Sequence, residues 1–505
     1  MRNGDESGFW SRGLPLSVAG GAAIGLSGAP NLWPALGFVG PALLVGALET
    51  GARTASPRRA FVLGLVMATA TNAVAFYWVV GLLTAFAGFP LVAAIATALL
   101  LWVAQSIAFA LAAAGTAVLT RRGIETWLAL PPCLVIACTL TPSLFPWRLA
   151  ETQIPWISYV QVAELGGEPL LDLLVAAAGC GLAQAWRSGR RAPMWIAVAA
   201  LCLPAVYGGL RLPAVRHARA AAPLLRVGVV QPNIGMFEKH DRDLAFEHLA
   251  DLQIATRELE RNGADVVAWP ETAHPFAIPR ERGRDSDGAT RIRARGVRGP
   301  VLVGAITVDR HQRRYNSVVG LDRAGEVVGI ADKVDLLAFG EYVPFWDYIP
   351  PLQERFGRGL TPGDAPRAIQ IAGARVGVLN CYEDTLPGRA LTVARQMPDF
   401  LLNATNDAWF GDTSEPRLHQ TVARLRAVET RRDLVRAVNT GISSHTLATG
   451  EDVVHTRAFV ATHFLTNVRL LDGVTPWVRF GDLTTPALVG MLFGVMLALR
   501  RRGPA

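Results

Sequence analysis

The stretch Val376-Gly-Val-Leu-Asn-Cys-Tyr-Glu-Asp384 indicates a short apolar strand that leads directly into a cysteine. Of the five cysteines in the sequence, Cys381 alone stands in the polar half, because the other four lie in long apolar segments. A thiol at the exit of a buried strand, followed by Tyr382 and Glu383, has the placement of a nucleophile on a sharp turn. A buried structural cysteine is the commoner alternative for a lone thiol, so the rest of the chain must decide between the two.

Composition divides the 505 residues into parts suited to different solvents. Residues 14–210 are rich in Ala, Leu, Val, Gly and Trp and carry few charges, whereas residues 211–482 have the composition of a soluble protein. A chain of this length holds two or more domains. We predict a polytopic α-helical membrane domain over residues 1–215 with about seven transmembrane helices, a catalytic domain over residues 216–482, and a C-terminal transmembrane helix with a basic cytoplasmic end over residues 483–505.

Long apolar runs predict eight transmembrane helices in all, at residues 14–28, 32–49, 60–84, 88–118, 124–144, 162–186, 193–210 and 483–499. Arginines fall before the first run, after the last and in every second loop between them: Arg2, Arg12, Arg53, Arg58, Arg59, Arg121, Arg122, Arg187, Arg190, Arg191 and Arg500 to Arg502. Since basic loops stay in the cytoplasm, we expect both termini there and residues 211–482 on the opposite side of the membrane. A cleaved signal peptide over residues 1–28 is an alternative that leaves this orientation unchanged.

Charge and cysteine spacing exclude two classes of function. The net charge of +8 is spread over loops and the soluble part, and no basic helix is interleaved with aromatic residues, so nucleic acid is not an expected partner. The cysteines show neither a CxxC pair nor a Cys/His spacing typical of zinc sites. We therefore expect no metal ion and no cofactor, and we expect a monomer.

Strand and helix patterns alternate through the soluble part, which predicts a layered α/β domain. Helical spacing of apolar residues appears at 245–259 and 415–432. Strands are predicted at 224–231, 265–269, 299–308, 316–321, 326–331, 367–371, 375–379, 398–404, 434–438, 444–448, 451–455 and 464–470.

Three of these strands end at reactive side chains, namely Glu271, Lys333 and Cys381. A thiol is mostly protonated at neutral pH and needs a base before it can act as a nucleophile. A carboxylate can be that base, and an ammonium group beside it stabilises both the thiolate and the oxyanion of a tetrahedral intermediate. Glutamate, lysine and cysteine together are therefore chemically complete for acyl transfer, although each alone would be weak evidence.

Five sequence blocks carry a resemblance to a known family: Trp269-Pro-Glu-Thr-Ala273, Asp332-Lys333, Phe339-Gly-Glu-Tyr-Val-Pro344, Cys381-Tyr-Glu383 and Asn406-Asp-Ala-Trp-Phe-Gly411. They resemble the signature blocks of the nitrilase, or carbon-nitrogen hydrolase, superfamily. The resemblance is closer to its membrane branch, the apolipoprotein N-acyltransferases, and it covers nearly the whole chain.

The resemblance implies a nitrilase-like αββα sandwich domain on the periplasmic side of a bacterial inner membrane. It implies a catalytic triad of Glu271, Lys333 and Cys381, supported by Glu341, Tyr382 and Glu383. It also implies a two-stage reaction, in which the cysteine takes a fatty acyl chain from a phospholipid as a thioester. The N-terminal amine of an S-diacylglyceryl cysteine on an apolipoprotein then accepts that chain.

Residues 336–352 are unusually apolar and aromatic for a loop outside the membrane. An enzyme that acts on lipid at the membrane surface can use such a loop to hold acyl chains. We expect Phe339 and Trp409 to contribute to substrate binding. His240 is a further candidate, at a position where the resembled family usually has tryptophan, and Ala338 stands where that family usually has proline.

Two other functions remain open from the sequence. A membrane-anchored amidase or nitrilase would use the same three side chains with water as the second acceptor. A catalytically inactive relative that binds lipoproteins is the alternative from another class of protein.

Overall fold

The computed structural model describes residues 9–28, 30–50, 55–241, 243–344 and 359–501. The chain divides into two units, which we call the helical unit (Met1–Pro213 with Phe480–Ala505) and the sandwich unit (Ala214–Arg479). Part of the predicted apolar loop, residues 345–352, lies outside the described residues, as does the side chain of His240.

The helical unit contains apolar helices at every run predicted from the sequence. Their bounds are α1 Leu14–Leu26, α2 Pro34–Leu48, α3 Pro57–Ala75, α4 Trp78–Ala85, α5 Leu91–Gln105, α6 Ile107–Thr120, α7 Thr126–Leu140, α8 Ala163–Ser188, α9 Arg191–Ala221 and, after the sandwich unit, α14 Thr484–Arg501. Small residues let neighbouring helices approach closely. A Cβ atom on Gly21 of α1, for example, would lie 2.0 Å from the carbonyl oxygen of Met67 in α3.

Three described helical segments are long and apolar enough to cross a membrane: Leu91–Thr120, Ala163–Ser188 and Arg191–Ala221. The bent pair Pro57–Ala75 and Trp78–Ala85, with 61° between its halves, would make a fourth if it forms one span. A helical N-terminal region is therefore confirmed, while the count of eight transmembrane helices stays a prediction.

The described residues of the sandwich unit form two β-sheets and four helices. The strands are β1 Leu224–Gln231, β2 Val266–Ala268, β3 His274–Pro279, β4 Val301–Val308, β5 Arg314–Leu321, β6 Val327–Asp332, β7 Ala368–Ile371, β8 Ala374–Asn380, β9 Phe400–Thr405, β10 Leu434–Val438, β11 Ser444–Thr446, β12 Asp452–His455 and β13 Thr462–Arg469. The helices are α10 Ala245–Arg261, α11 Pro387–Ala394, α12 Glu415–Thr430 and α13 Pro476–Phe480.

One sheet has the strand order β13-β1-β2-β4-β5-β6, with β3 paired to β4, and the other has the order β12-β11-β10-β9-β8-β7. The pairs β1–β2 and β2–β4 of the first sheet are parallel, as are β8–β9 and β9–β10 of the second. The carboxyl ends of parallel strands meet at one edge of a sheet. This edge is where α/β proteins place their functional side chains.

Apolar side chains form three layers in the sandwich unit. Val227 and Val376 belong to a buried cluster that draws on strands of both sheets, so the two sheets pack face to face. Leu249 and Leu252 of α10 pack on the outer side of the first sheet. Ala390 of α11 and Ala423 of α12 pack with strands of the second sheet. The result is an αββα sandwich, which confirms the prediction of a layered α/β domain in the C-terminal half.

Strand β3 and helix α11 are among the elements that were not predicted from the sequence. Strand β3 contains Pro275 and ends at Pro279, and proline removes a backbone donor that sheets normally use. Helix α11 has eight residues and begins at Pro387, which is too short for helical periodicity to be distinguished. Both are fixed by packing in the folded unit rather than by local pattern.

Candidate active site

Glu271, Lys333 and Cys381 follow the ends of β2, β6 and β8, and the sandwich unit brings the first two into contact. The turn that carries Glu271 lies over β4 at Gly304. A Cβ atom there would lie 1.9 Å from the carbonyl oxygen of Pro270. Glycine at position 304 is thus required for the Glu271 turn to pack where it does.

The ammonium group of Lys333 stands between two carboxylates. Its Nζ atom lies 3.4 Å from Glu271 Oε1 and 2.8 Å from Glu341 Oε2. Asn316 Nδ2 donates to both carboxylates, at 2.5 Å to Glu271 and 2.9 Å to Glu341. Lys333 is only 1% exposed. Tyr382 places its ring 5.4 Å from the same Nζ, which adds a cation–π contact.

Electrostatics keep Lys333 charged. Burial acts to lower the pKa of its ammonium, but the Cys381 thiolate when it forms and the carboxylates of Glu271 and Glu341 hold that pKa well above its usual value. Lys333 therefore remains a cation at neutral pH although its side chain is buried. A preorganised cation of this kind is suited to stabilise an oxyanion.

Cys381 is buried and sits on a strained turn. Its φ angle is +51°, a left-handed conformation that non-glycine residues adopt at some cost and that is concentrated at functional sites. Asn403 Nδ2 donates to the Cys381 carbonyl at 2.7 Å. Burial raises the pKa of the thiol well above its usual value, and the Glu271 charge adds to this while Lys333 opposes it. The thiol is therefore neutral at neutral pH, and it would need a base in order to act as a nucleophile.

Glu383 ties the lysine segment to the cysteine turn. Its Oε1 atom accepts hydrogen bonds from the backbone N–H groups of Val334, at 2.7 Å, and Asp335, at 3.0 Å. Its Oε2 atom accepts one from Asn380 N at 2.8 Å. Burial raises the pKa of Glu383 to about 7, against the three N–H groups, which favour the charged form. The Glu383 carboxylate thus links the segment after Lys333 to the residue before Cys381 and fixes their relative positions.

The predicted substrate-binding residues lie in different environments. Phe339 is 74% exposed in the described part of the apolar loop. Trp409 is half-buried on a short turn, and its neighbour Phe410 is buried. Tyr382 donates its hydroxyl to the Leu336 carbonyl at 3.3 Å, so the cysteine turn supports the start of that loop.

A buried ionic cluster lies on the far side of the cysteine turn. His419 Nε2 is 2.8 Å from Asp384 and its Nδ1 is 3.0 Å from Asp407, while Arg436 also donates to Asp384. Burial alone would lower the pKa of His419, but the two aspartates raise it to about 10. Asp407, Glu415 and His419 come close enough to hold a metal ion. The ion pairs of His419 with Asp384 and Asp407 join the Cys381 and Trp409 turns.

Asn316 and Lys239 were missed from the sequence. The hairpin of β5 and β6 pairs Ser317 with Asp332, so its register placed Asn316 beside Lys333 and could have identified it. Lys239 Nζ donates to the Glu271 carbonyl at 3.0 Å. The chain has only two lysines, at positions 239 and 333, and this rarity could have marked Lys239 as a candidate site residue.

Comparison with known proteins gives matches to both parts of the chain. The family model described as carbon-nitrogen hydrolase matches residues 226–459. The model described as apolipoprotein N-acyltransferase N-terminal domain matches residues 20–181. An apolipoprotein N-acyltransferase of Geobacter metallireducens is 32% identical over 472 residues, which cover 88% of each chain.

The chain belongs to the apolipoprotein N-acyltransferase family. A second member, from Bradyrhizobium diazoefficiens, is 30% identical over 98% of this chain and 95% of its own. Among solved structures, the carbon-nitrogen hydrolase from Helicobacter pylori G27 is 16% identical with a TM-score of 0.37, covering 53% of this chain and 93% of that one. A score this low is too weak to identify a fold, which rests here on the strand pairing and the three apolar layers. Membership of the apolipoprotein N-acyltransferases rests on the full-length relatives.

Proposed function

We propose that this chain transfers a fatty acyl chain from a phospholipid, through a thioester on Cys381, to the N-terminal amine of an S-diacylglyceryl cysteine on an apolipoprotein. The observation that carries the proposal is a buried neutral thiol in the same unit as a Lys333 ammonium held between two carboxylates. Family membership supplies the donor and acceptor classes.

In the first stage, Glu271 takes the proton of the Cys381 thiol as the sulfur attacks an ester carbonyl of the phospholipid. A carbon–sulfur bond forms, and the ammonium of Lys333 stabilises the oxyanion. The bond from the carbonyl carbon to the glycerol oxygen then breaks. Glu271 returns its proton to that oxygen, so a lysophospholipid leaves and the acyl chain stays on sulfur.

In the second stage, the neutral amine of the acceptor attacks the thioester carbonyl. A carbon–nitrogen bond forms, Glu271 takes a proton from nitrogen, and the carbon–sulfur bond breaks. The thiolate recovers a proton from Glu271. Glu341 and Asn316 hold Lys333 and Glu271 in place for both stages, since each contacts one or both of them.

The products distinguish acyl transfer from hydrolysis. Purified protein is incubated with phospholipid bearing isotope-labelled acyl chains and a synthetic diacylglyceryl-cysteine peptide. Mass spectrometry should show one labelled amide on the peptide for each lysophospholipid formed. Because water competes poorly for a dry thioester, free labelled fatty acid should be a minor product. If labelled fatty acid accumulates and the peptide gains no mass, the protein is an amidase-like hydrolase and the proposal is wrong.

We further propose that the helical unit is an eight-helix membrane domain, with both termini in the cytoplasm of a bacterial cell and the catalytic domain, residues 216–482, in the periplasm. The alternating arginine loops support this orientation. We propose that the enzyme acts as a monomer in the inner membrane, because all the groups assigned to the reaction come from one chain.

Two cysteine variants test the orientation. Arg310→Cys places a thiol on an exposed residue of the sandwich unit, and Arg121→Cys places one on an exposed residue after α6. A membrane-impermeant maleimide applied to spheroplasts should label position 310 before lysis and position 121 only after lysis, as read from the two peptides by mass spectrometry. The reverse pattern would contradict the proposed orientation.

A further inference from the structure

Lysine is rare in this chain: of 49 basic residues, only Lys239 and Lys333 are lysines, and the other 47 are arginines. Arginine thus supplies almost every surface cation. Arginine and lysine are not interchangeable where a compact ammonium with three donors is needed in a buried place. Lys333 occupies such a place between Glu271 and Glu341. The only other lysine of the sequence, Lys239, is therefore a candidate for a similar role.

Lys239 holds the turn that carries the proposed base. Its Nζ atom donates to the Glu271 carbonyl oxygen at 3.0 Å and to Thr272 Oγ1 at 2.5 Å. Thr272 has a φ angle of +46°, a conformation that costs energy in a β-branched residue. The ammonium therefore fixes a strained turn whose geometry aims the Glu271 carboxylate at Lys333.

Charge at the site is unbalanced without Lys239. Glu271 and Glu341 share one ammonium, that of Lys333, which leaves one negative charge in excess. Proton transfer from Cys381 to Glu271 preserves this excess, because the thiolate replaces the carboxylate. The ammonium of Lys239 interacts with both Glu271 and Cys381, and burial lowers its pKa to about 8, so that it is still mostly charged at pH 7.

We propose that Lys239 is a second cation of the active site, a positioning residue that fixes the Glu271 turn and offsets the negative charge shared by Glu271 and Cys381. This inference rests on the proposed acyl transfer through Cys381. The charged and titratable groups that face Lys239 from the elements packed against it are Glu271 and Cys381. On its own turn, Glu238 accepts a hydrogen bond from Gly235 N.

The test compares wild type with Lys239→Met, which removes the charge, and Lys239→Arg, which keeps it. The first measurement is the rate of thioester formation on Cys381 with phospholipid alone. The second is the rate of alkylation of Cys381 by iodoacetamide at pH 7, where Lys239 is charged, followed on its peptide by mass spectrometry. Lys239→Met should slow thioester formation about 10- to 100-fold and slow the alkylation about 10-fold, since a lost cation lowers the thiolate fraction at that pH. Lys239→Arg should keep the wild-type alkylation rate and recover at least part of the rate of thioester formation.

Thr272→Val gives a second test that leaves the ammonium in place. It removes one partner of Lys239 while retaining a β-branched residue, so thioester formation should slow about threefold and the alkylation rate at pH 7 should not change. The inference is overturned if Lys239→Met has the wild-type rates of thioester formation and alkylation, or if both Lys239 variants form the thioester equally slowly with an unchanged alkylation rate. Absence of a thioester in the wild type would instead contradict the proposed function, and the alkylation rates would still decide the role of Lys239.

Discussion

Replacement of Cys381 by serine should abolish both the acyl-enzyme and the N-acylated product, with a loss of at least about 10⁴-fold in rate. A hydroxyl is a far weaker acid than a thiol, so Glu271 cannot generate the nucleophile in its place. The substitution exchanges sulfur for oxygen on a buried turn held by Asn403. The fold should therefore survive, and the loss should be seen in single-turnover assays on protein of normal thermal stability.

Cys202→Ser is the matched control, because it makes the same exchange at an exposed cysteine in the helical unit. Its rate should stay within about twofold of wild type. Substantial N-acylation by the Cys381→Ser variant would mean that the acyl chain passes directly from lipid to amine, and that Cys381 is a structural thiol after all.

Replacement of Lys333 by methionine should remove activity and weaken the fold together. Methionine is unbranched like lysine and one heavy atom shorter, and it leaves Glu271 and Glu341 without their shared cation. Breaking a buried ion pair in this way costs about 3–5 kcal/mol, less whatever one carboxylate recovers by binding a proton. Thioester formation should fall at least about 10³-fold, because the oxyanion loses its cation. Thermal unfolding in detergent and single-turnover assays measure the two effects.

The double variant Lys333→Met/Glu341→Gln separates stability from catalysis. It removes one positive and one negative charge, so the thermal stability should recover a substantial part of the loss. The activity should not recover, because the catalytic ammonium is still missing. A double variant that regained activity as well as stability would show that Lys333 serves only to balance charge.

The reactive residues that follow strands could be predicted from the sequence, because a strand and the residue after it are recognised from local sequence alone. Cys381 follows an apolar run, and Glu271 and Lys333 each stand one to three residues beyond a strand. Strand ends are readable from pattern, and side chains at strand ends gather at one edge of a sheet. The identities of these residues could thus be named before their distances were known.

The hydrogen bonds that hold those side chains in place could not be predicted from the sequence. Glu383 joins Val334 to Asn380 through backbone hydrogen bonds, a role that depends on two sheets packing face to face. The imidazolium of His419 depends on two aspartates that are distant in sequence. Tertiary contacts of this kind leave no periodicity in the chain.

The number of membrane spans is hard to derive for a different reason, namely the length and composition of the shorter helices. A span needs about 20 apolar residues, whereas α2 and α7 contain 15 residues each and contain internal prolines. Among the described residues, three helical segments, or four if the bent pair forms one span, are therefore long and apolar enough to cross a membrane. The proposed count of eight comes from the apolar runs of the sequence, and the alternation of arginine loops supports it.

The central claim is that Cys381 carries the acyl chain. Wild-type protein should be incubated with labelled phospholipid and no acceptor, digested, and analysed by mass spectrometry. The peptide that contains Cys381 should gain the mass of one acyl group, and that mass should be lost on treatment with neutral hydroxylamine or on addition of the diacylglyceryl-cysteine peptide. An acyl group on another residue, or N-acylated product formed without any acyl-Cys381 peptide, would contradict the account.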